Sequence, residues 1–149
     1  FSLQPLLHLA RQRNDAATRK LGQLNSNHQA AVGKLDMLHQ YRKDYQDKLK
    51  NAEKDGMALQ DLRNFKDFIC RLDDAIAQQD SVVTQAQLSV QKGRSELSDT
   101  QRRMKSFDTL ARRHIETERK MEAKMEQKIQ DEHSGRRSAC KNNERGDES

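Results

Sequence analysis

Apolar residues recur along the first third of the chain at alternating spacings of three and four residues. When the sequence is written as heptads abcdefg, every d position up to residue 52 is apolar, whereas leucine alternates with Asn14, His28 and Arg42 at the a positions. A repeat sustained over so many turns is typical of a helix that winds around a partner helix. It predicts a first helix over about residues 3–52.

A second stripe follows with the same spacing. Its a positions are apolar from Leu62 to Ala111, and Gly56 lies between the two stripes. Glycine readily adopts the left-handed backbone of a chain reversal after a helix. The pattern predicts a turn at about residues 53–60 and a second helix over about 61–131. The predicted fold is all-α, a long antiparallel two-helix coiled-coil hairpin whose second helix is the longer one.

The register of the hairpin follows from arithmetic, because antiparallel helices pair a positions with d positions. If the turn is centred near residue 57, the numbers of two facing residues sum to about 114, and eight layers are then apolar on both sides. Asn14 meets Thr100, so two polar groups can satisfy each other, and Leu21 meets Gly93. Matched polar layers cost stability but favour one register over its neighbours.

Composition supports a two-helix seam rather than a layered globular core. Only 4% of the 149 residues are aromatic and 34% are charged, so too little apolar surface exists for a compact core. Near Ser134 and Gly135 the stripe ends and the sequence becomes polar. We expect residues 1–132 to form the hairpin and residues 133–149 to form a disordered polar tail.

The sequence lacks the motifs of catalysis and metal binding. It has no glycine-rich phosphate loop, no paired cysteines at metal-ligand spacing and no histidine beside a nucleophile. His114 and Glu118 could share a metal ion, but two ligands do not make a site. His28, which faces Ala86, is better explained as a polar residue that sets the register. We therefore predict no enzymatic activity, no cofactor and no metal.

The cysteines and the hydropathy pattern indicate a cellular compartment. Cys70 and Cys140 lie far apart and suggest no disulfide framework, as expected in a reducing compartment. No apolar run approaches the ~18 residues of a membrane span, and no signal-peptide pattern opens the chain. The sequence therefore predicts a cytoplasmic protein.

Basic residues gather at the open end of the predicted hairpin, opposite the turn. We call them the basic cluster: Arg11, Arg13, Arg19, Lys20, Arg102, Arg103, Lys105, Arg112 and Arg113. The summed field of such a cluster attracts acidic surfaces, although an ordinary solvated helix face explains the charges equally well. The aromatic residues that stack on bases in nucleic-acid-binding proteins are missing, so we do not expect nucleic acid as the partner.

Two aromatic residues near the turn lie outside the predicted seam. Tyr41 and Phe68 both occupy g positions, and the g positions of an antiparallel pair share one flank. Exposed aromatics grouped on a flank indicate a binding surface. The alternative is that the two rings only widen the seam at its end.

The blocks around these aromatics resemble the family of the flagellar export protein FliJ. The first block is Leu35-x-Met37-Leu38-x-x-Tyr41-x-x-x-Tyr45-x-x-x-Leu49, and the second is Asn64-Phe65-x-x-Phe68-Ile69-x-x-Leu72-x-x-Ala75-Ile76. An upstream block, Asp15-Ala16-Ala17-x-x-x-Leu21-Gly22, is also similar. The resemblance covers nearly the whole chain.

This resemblance implies a non-enzymatic component of the bacterial flagellar type III export apparatus. FliJ is similar to the central stalk of rotary ATPases. It inserts into the hexameric ring of the export ATPase, FliI, promotes ring assembly and activity, and couples the ring to the export-gate membrane protein, FlhA, and to export chaperones. The basic cluster would then face the ring. The chain would be a monomer in isolation, peripheral at the inner face of the cell membrane only through its partners.

Matching positions carry the gate-binding surface of the family over to this chain. We call these residues the gate-facing set: Lys34, Leu38, Tyr41, Tyr45, Phe68, Leu72, Ala75 and Gln79. Many family members have histidine at the position of Gln79, so this contact departs from the family pattern. Two alternatives stay open, namely the equivalent stalk of a virulence type III secretion system, and a structural coiled-coil adaptor or spacer that dimerises through the end of its second helix.

Overall fold

The chain folds into two α-helices joined by a three-residue turn. A computed structural model describes the backbone of residues 3–147 and the side chains of residues 3–142. Helix α1 comprises Gln4–Asp55 and helix α2 comprises Leu59–Asp147. The prediction of an all-α hairpin with a longer second helix is confirmed.

Gly56 makes the chain reversal between the helices. Its φ angle is +85°, and its N–H donates to the carbonyl of Glu53 at 3.3 Å. A residue with a Cβ atom is strained at this φ, so glycine is the natural residue here. The N–H of Leu62 donates to the carbonyl of Ala58 at 3.1 Å and thereby continues the first turn of α2. Helix α2 begins two residues earlier than the predicted start at residue 61.

The helices divide into two compact units. The first, which we call the hairpin unit, is Arg11–Arg102 and contains the turn. The second, the terminal unit, combines the first ten residues with the chain from Arg103 onward. In the hairpin unit every predicted a and d position, from residue 14 to 52 and from 62 to 100, is buried or half-buried. The predicted heptads therefore define the core.

Individual contacts in the hairpin unit confirm the predicted register. The Thr100 hydroxyl lies 3.1 Å from Asn14 Oδ1 and 2.9 Å from the Leu97 carbonyl. A Cβ atom added to Gly93 would lie 2.9 Å from Leu24 Cδ1, 3.4 Å from Leu21 Cδ1 and 3.9 Å from Leu21 Cα, so Gly93 lies against Leu21. Both contacts join residues whose numbers sum to 114, so the predicted layers form as the arithmetic requires.

In the terminal unit the core is shorter. Leu7, Ala10 and Ala111 are buried there, whereas every described side chain from residue 112 to 142 is exposed. Helix α2 thus continues beyond its buried stripe, and its described side chains up to residue 142 all contact solvent.

The end of α2 differs from the predicted boundary near residue 131. The helix continues to Asp147, through most of the segment that we predicted to be a disordered tail, and residues 148 and 149 lie outside the described residues. Gly135 costs a helix only about 1 kcal/mol relative to alanine, which is not enough to end it. All described side chains from residue 133 to 142 are exposed, so burial contributes little to the helix in this segment.

Candidate protein-interaction surfaces

An aromatic cluster lies near the turn in the hairpin unit. The rings of Tyr45 and Phe68 stack with centroids 4.2 Å apart and an interplanar angle of 29°. The ring of Phe65 is tilted by 56° against Tyr45 at 5.9 Å. Tyr45 and Phe65 occupy core d positions, whereas Phe68 lies at a g position and brings the cluster to the surface.

The cluster forms the wall of a shallow depression of about 280 Å³, lined by Tyr45, Asn64, Phe65 and Phe68. The ammonium group of Lys48 lies 5.4 Å from the centre of the Tyr45 ring, within the range of a cation–π contact. Three of these residues, Lys48, Asn64 and Phe65, are not in the gate-facing set. Asn64 and Phe65 open the second block of the family resemblance, which is the sequence signal that could have included them, whereas Lys48 is marked only by its g position.

The gate-facing set separates into three groups by burial. Lys34, Tyr41 and Phe68 are exposed, with 51% of Tyr41 and 37% of Phe68 accessible to solvent. Leu38, Tyr45 and Ala75 are half-buried. Leu72 and Gln79 are buried, with only 8% and 7% of their surface accessible.

Gln79 is a polar residue in the core of the hairpin unit. Its Nε2 donates to the carbonyl of Ala31 at 2.9 Å, so a buried amide is satisfied across the seam. Neither Gln79 nor Leu72 can touch a partner while the seam is closed. Both residues belong to the core of the hairpin unit instead.

The basic cluster is fully exposed in both units. Arg11, Arg13, Arg19, Lys20 and Arg102 lie in the hairpin unit, and Arg103, Lys105, Arg112 and Arg113 lie in the terminal unit. Lys20 pairs with Glu96 across the seam at 3.0 Å, and Arg102 and Arg112 pair with aspartates of their own helix at 3.1 Å. Ion pairs this exposed contribute little to stability, so these charges remain available to a partner.

Arg42, at an a position, makes an ion pair that the layer arithmetic did not predict. Its Nε donates to Asp73 Oδ1, and its Nη1 donates to Gln46 Oε1 at 3.2 Å. The hydrogen bond with Asp73, together with the negative charge, raises the pKa of Arg42. The same hydrogen bond lowers the pKa of Asp73 below its ordinary value. The side chain of arginine is long enough to leave the seam and reach a carboxylate on the flank.

The described residues contain no group of three or more histidine, cysteine, aspartate or glutamate side chains that could hold a metal ion. His114 Nε2 and Glu118 Oε1 lie 3.1 Å apart on an exposed face, and His28 is half-buried in the seam. Within residues 3–147, neither helix has a segment long and apolar enough to cross a membrane.

Comparison with known proteins assigns the architecture to a family. A model of the flagellar FliJ protein family matches residues 1–143. The chain belongs to the FliJ family. The flagellar FliJ protein of Salmonella typhi is 30% identical over 135 residues, which cover 91% of this chain and 92% of that protein. FliJ proteins are coiled-coil, non-catalytic components of the flagellar type III export apparatus, so this FliJ-family chain is one as well.

A solved structure shares the fold. A Chlamydia trachomatis protein described as a YscO homolog superimposes with a TM-score of 0.72 over 90% of this chain and 91% of its own, at 18% sequence identity. Identity this low shows a common fold and nothing about shared partners. The flagellar assignment therefore depends on the sequence match to the FliJ family.

Proposed function

We propose that this FliJ-family chain is the stalk-like coupling factor of the export ATPase. In this proposal it inserts into the hexameric FliI ring, promotes assembly and activity of the ring, and connects the ring to the gate protein FlhA and to export chaperones. It acts in the cytoplasm as a monomer, and reaches the inner face of the membrane only through these partners. Family membership supports the proposal. The main structural support is that the basic cluster and the aromatic cluster lie far apart on the chain.

The two surfaces are well separated within the hairpin unit itself. On α1 the last basic-cluster residue, Lys20, precedes Tyr45 by 25 residues, which corresponds to roughly 38 Å of helix. One surface is cationic and hydrated, while the other is aromatic and partly desolvated. Surfaces of such different chemistry suit two different partners, as a coupling factor requires.

The aromatic cluster supports the gate-binding role. Tyr45, Phe65 and Phe68 present ring surface around a depression that an apolar side chain of a partner can fill. Tyr41 is exposed on the same flank as Phe68. Buried aromatic anchors dominate the energy of many interfaces. Leu72 and Gln79 are buried in the seam of the same hairpin unit.

The basic cluster supports the ring-binding role. A stalk changes the populations of ring states only if it binds some of these states more tightly than others. Exposed arginines and lysines without tight ion pairs can supply such differential contacts to acidic ring surfaces. No motif of the family singles out individual arginines, so the cluster is proposed as a unit.

Two variants test the two roles in one experiment. One variant reverses charges of the basic cluster, and the other removes two aromatic rings. The ring variant is R103E/K105E/R113E, whose three residues are exposed and make no ion pair in the structure. The gate variant is Y41A/F68A. We expect the ring variant to lose stimulation of the export ATPase while it binds the gate protein normally. We expect the gate variant to bind the gate protein about tenfold more weakly while it stimulates the ATPase normally.

The control for charge reversal is K43E/K50E/R63E, which makes the same change in net charge on exposed residues near the turn. It should preserve stimulation of the ATPase, and circular dichroism should show the same helicity for all three variants. If the ring variant stimulates the ATPase normally, the basic cluster has no part in the mechanism. If the gate variant loses most of its thermal stability, Tyr41 and Phe68 belong to the core instead of a binding surface.

A further inference from the structure

The two flanks of the hairpin unit differ in chemistry. One flank consists of the g and neighbouring c positions of both helices, and we call it the g flank. Between residues 11 and 102, four large hydrophobic side chains of the g flank are exposed, namely Met37, Tyr41, Phe68 and Val82. The opposite flank, made of e and b positions, exposes only Leu59 at the start of α2, and the outward face exposes only Leu88. The apolar surface is therefore concentrated on one side.

Pairing across the g flank leaves two lysines without carboxylates. Lys20 meets Glu96 there at 3.0 Å. Because the repeat is seven residues, the same offset places Lys34 opposite Val82 and Lys48 opposite Phe68. Neither Lys34 nor Lys48 makes an ion pair among the described residues. Positive charge thus accompanies the apolar surface along the flank.

Two depressions lie along the g flank. The aromatic depression near the turn holds about 280 Å³. A second depression, of about 180 Å³, lies where Gly93 has no side chain, and Lys20, Leu24 and Ser89 are among the residues around it. Met37, Tyr41 and Val82 are exposed at positions between the two depressions along the helices.

We propose that the g flank is a docking track for one amphipathic helix of the partner, which lies along the seam as a third helix. Phe68, Ala75 and Val82 repeat every seven positions along α2, and such a row matches a helix with its own heptad stripe. The charges of Lys34 and Lys48 require aspartate or glutamate beside that stripe. This inference rests on the proposed gate-binding function and extends its surface to Met37, Lys48 and Val82, which the gate-facing set did not include.

Binding of the full-length chain to the soluble region of the gate protein, measured by titration calorimetry, tests the track. M37Q/V82Q should weaken binding about tenfold. K34E/K48E should also weaken binding, and its effect should be larger at low salt than at high salt. Matched controls are Leu88→Gln, which is 53% exposed on the outward face, and K43E/K50E on the opposite flank. Both controls should bind like the wild type, and all variants should keep the same melting temperature.

The shape of the partner is tested by hydrogen exchange on the gate protein. In the complex, exchange should slow over one continuous segment with apolar residues at heptad spacing and acidic residues beside them. If Y41A/F68A weakens binding but M37Q/V82Q does not, the gate-binding function stands and the track is overturned. If neither variant weakens binding, both proposals fail. If M37Q/V82Q instead converts a dimer of the wild-type chain into a monomer, the flank binds a second copy and the track is overturned.

Discussion

At the scale of residues, polar side chains inside the apolar stripes determine which register forms. Thr100 meets Asn14, Gln79 donates to the Ala31 carbonyl, and Arg42 pairs with Asp73. No buried side-chain nitrogen or oxygen atom of the described residues lacks a hydrogen-bond partner. A slip by one heptad would bring Asn14 opposite Gly93 or Phe107 instead of Thr100. The amide would then lose its partner in the seam, which would cost stability.

The ion pair of Arg42 with Asp73 makes a specific prediction for acid pH. Because the hydrogen bond lowers the pKa of Asp73 from its ordinary 3.8, the folded state binds the proton less readily than the unfolded state. The contribution of the pair to stability is therefore present above pH 3.8 and is lost as the pH falls through the lower folded-state pKa. Asp73→Asn should be slightly less stable than the wild type at pH 7, and the difference should vanish in strong acid.

Urea unfolding at a series of pH values measures this difference. Asp74→Asn is the matched control, because Asp74 is exposed and makes no ion pair in the structure. Its free energy of unfolding should stay close to that of the wild type at every pH. If both variants lost the same stability at pH 7, the loss would come from the change in net charge, and the Arg42–Asp73 pair would contribute nothing of its own.

Short side chains of the seam could be placed from the sequence, whereas long ones could not. The arithmetic paired Asn14 with Thr100 and Leu21 with Gly93, and both contacts form. It did not predict the partners of Gln79 and Arg42. These side chains have several rotatable bonds and reach past the facing layer, to Ala31 and to the flank, so heptad position alone does not fix their contacts.

At the scale of elements, the heptad pattern predicted both helices and the turn because burial in the seam determines where they lie. The first helix ends at Asp55, three residues past the predicted residue 52, and the second begins at Leu59. The end of α2 could not be predicted in the same way. Beyond Ala111 no described side chain is buried, so the periodic signal on which the prediction depends is missing there.

Two glycine substitutions should have opposite effects on the hairpin. Gly56→Ala places a Cβ at a φ of +85° and should destabilise the chain by about 1–2 kcal/mol. Gly33 is an exposed residue inside α1, and a Cβ added there meets no atom within 4 Å. Gly33→Ala should therefore stabilise the chain by about 0.5–1 kcal/mol.

Thermal and urea denaturation of the two variants measure the effects. Both substitutions add the same methyl group, so the pair separates backbone conformation from hydrophobicity. If Gly56→Ala were neutral, the turn would not depend on the left-handed backbone, and the chain would reverse by another conformation.

At the scale of the whole molecule, function depends on which surfaces the seam leaves exposed. The basic residues and the exposed aromatics could be found in the sequence, because heptad positions show which side chains leave the core. Leu72 and Gln79 were assigned to the gate-facing set because their positions match the family, but both are buried. A matching position therefore does not show that a side chain is accessible. Exposed residues of the set, such as Tyr41, are accessible to a partner, whereas its buried residues belong to the seam.

The oligomeric state of the chain separates a monomeric export component from a spacer that dimerises through the end of α2. Met121, Met125 and Ile129 each have more than 60% of their surface exposed, and a spacer would bury them against a second copy. Glu118 and Lys128 interrupt the stripe at its a and d positions, and charged residues at such positions destabilise a coiled coil. Sedimentation velocity should therefore find a monomer at micromolar concentration, both for the wild type and for M121E/M125E. A wild-type dimer that this variant dissociates would favour the spacer instead.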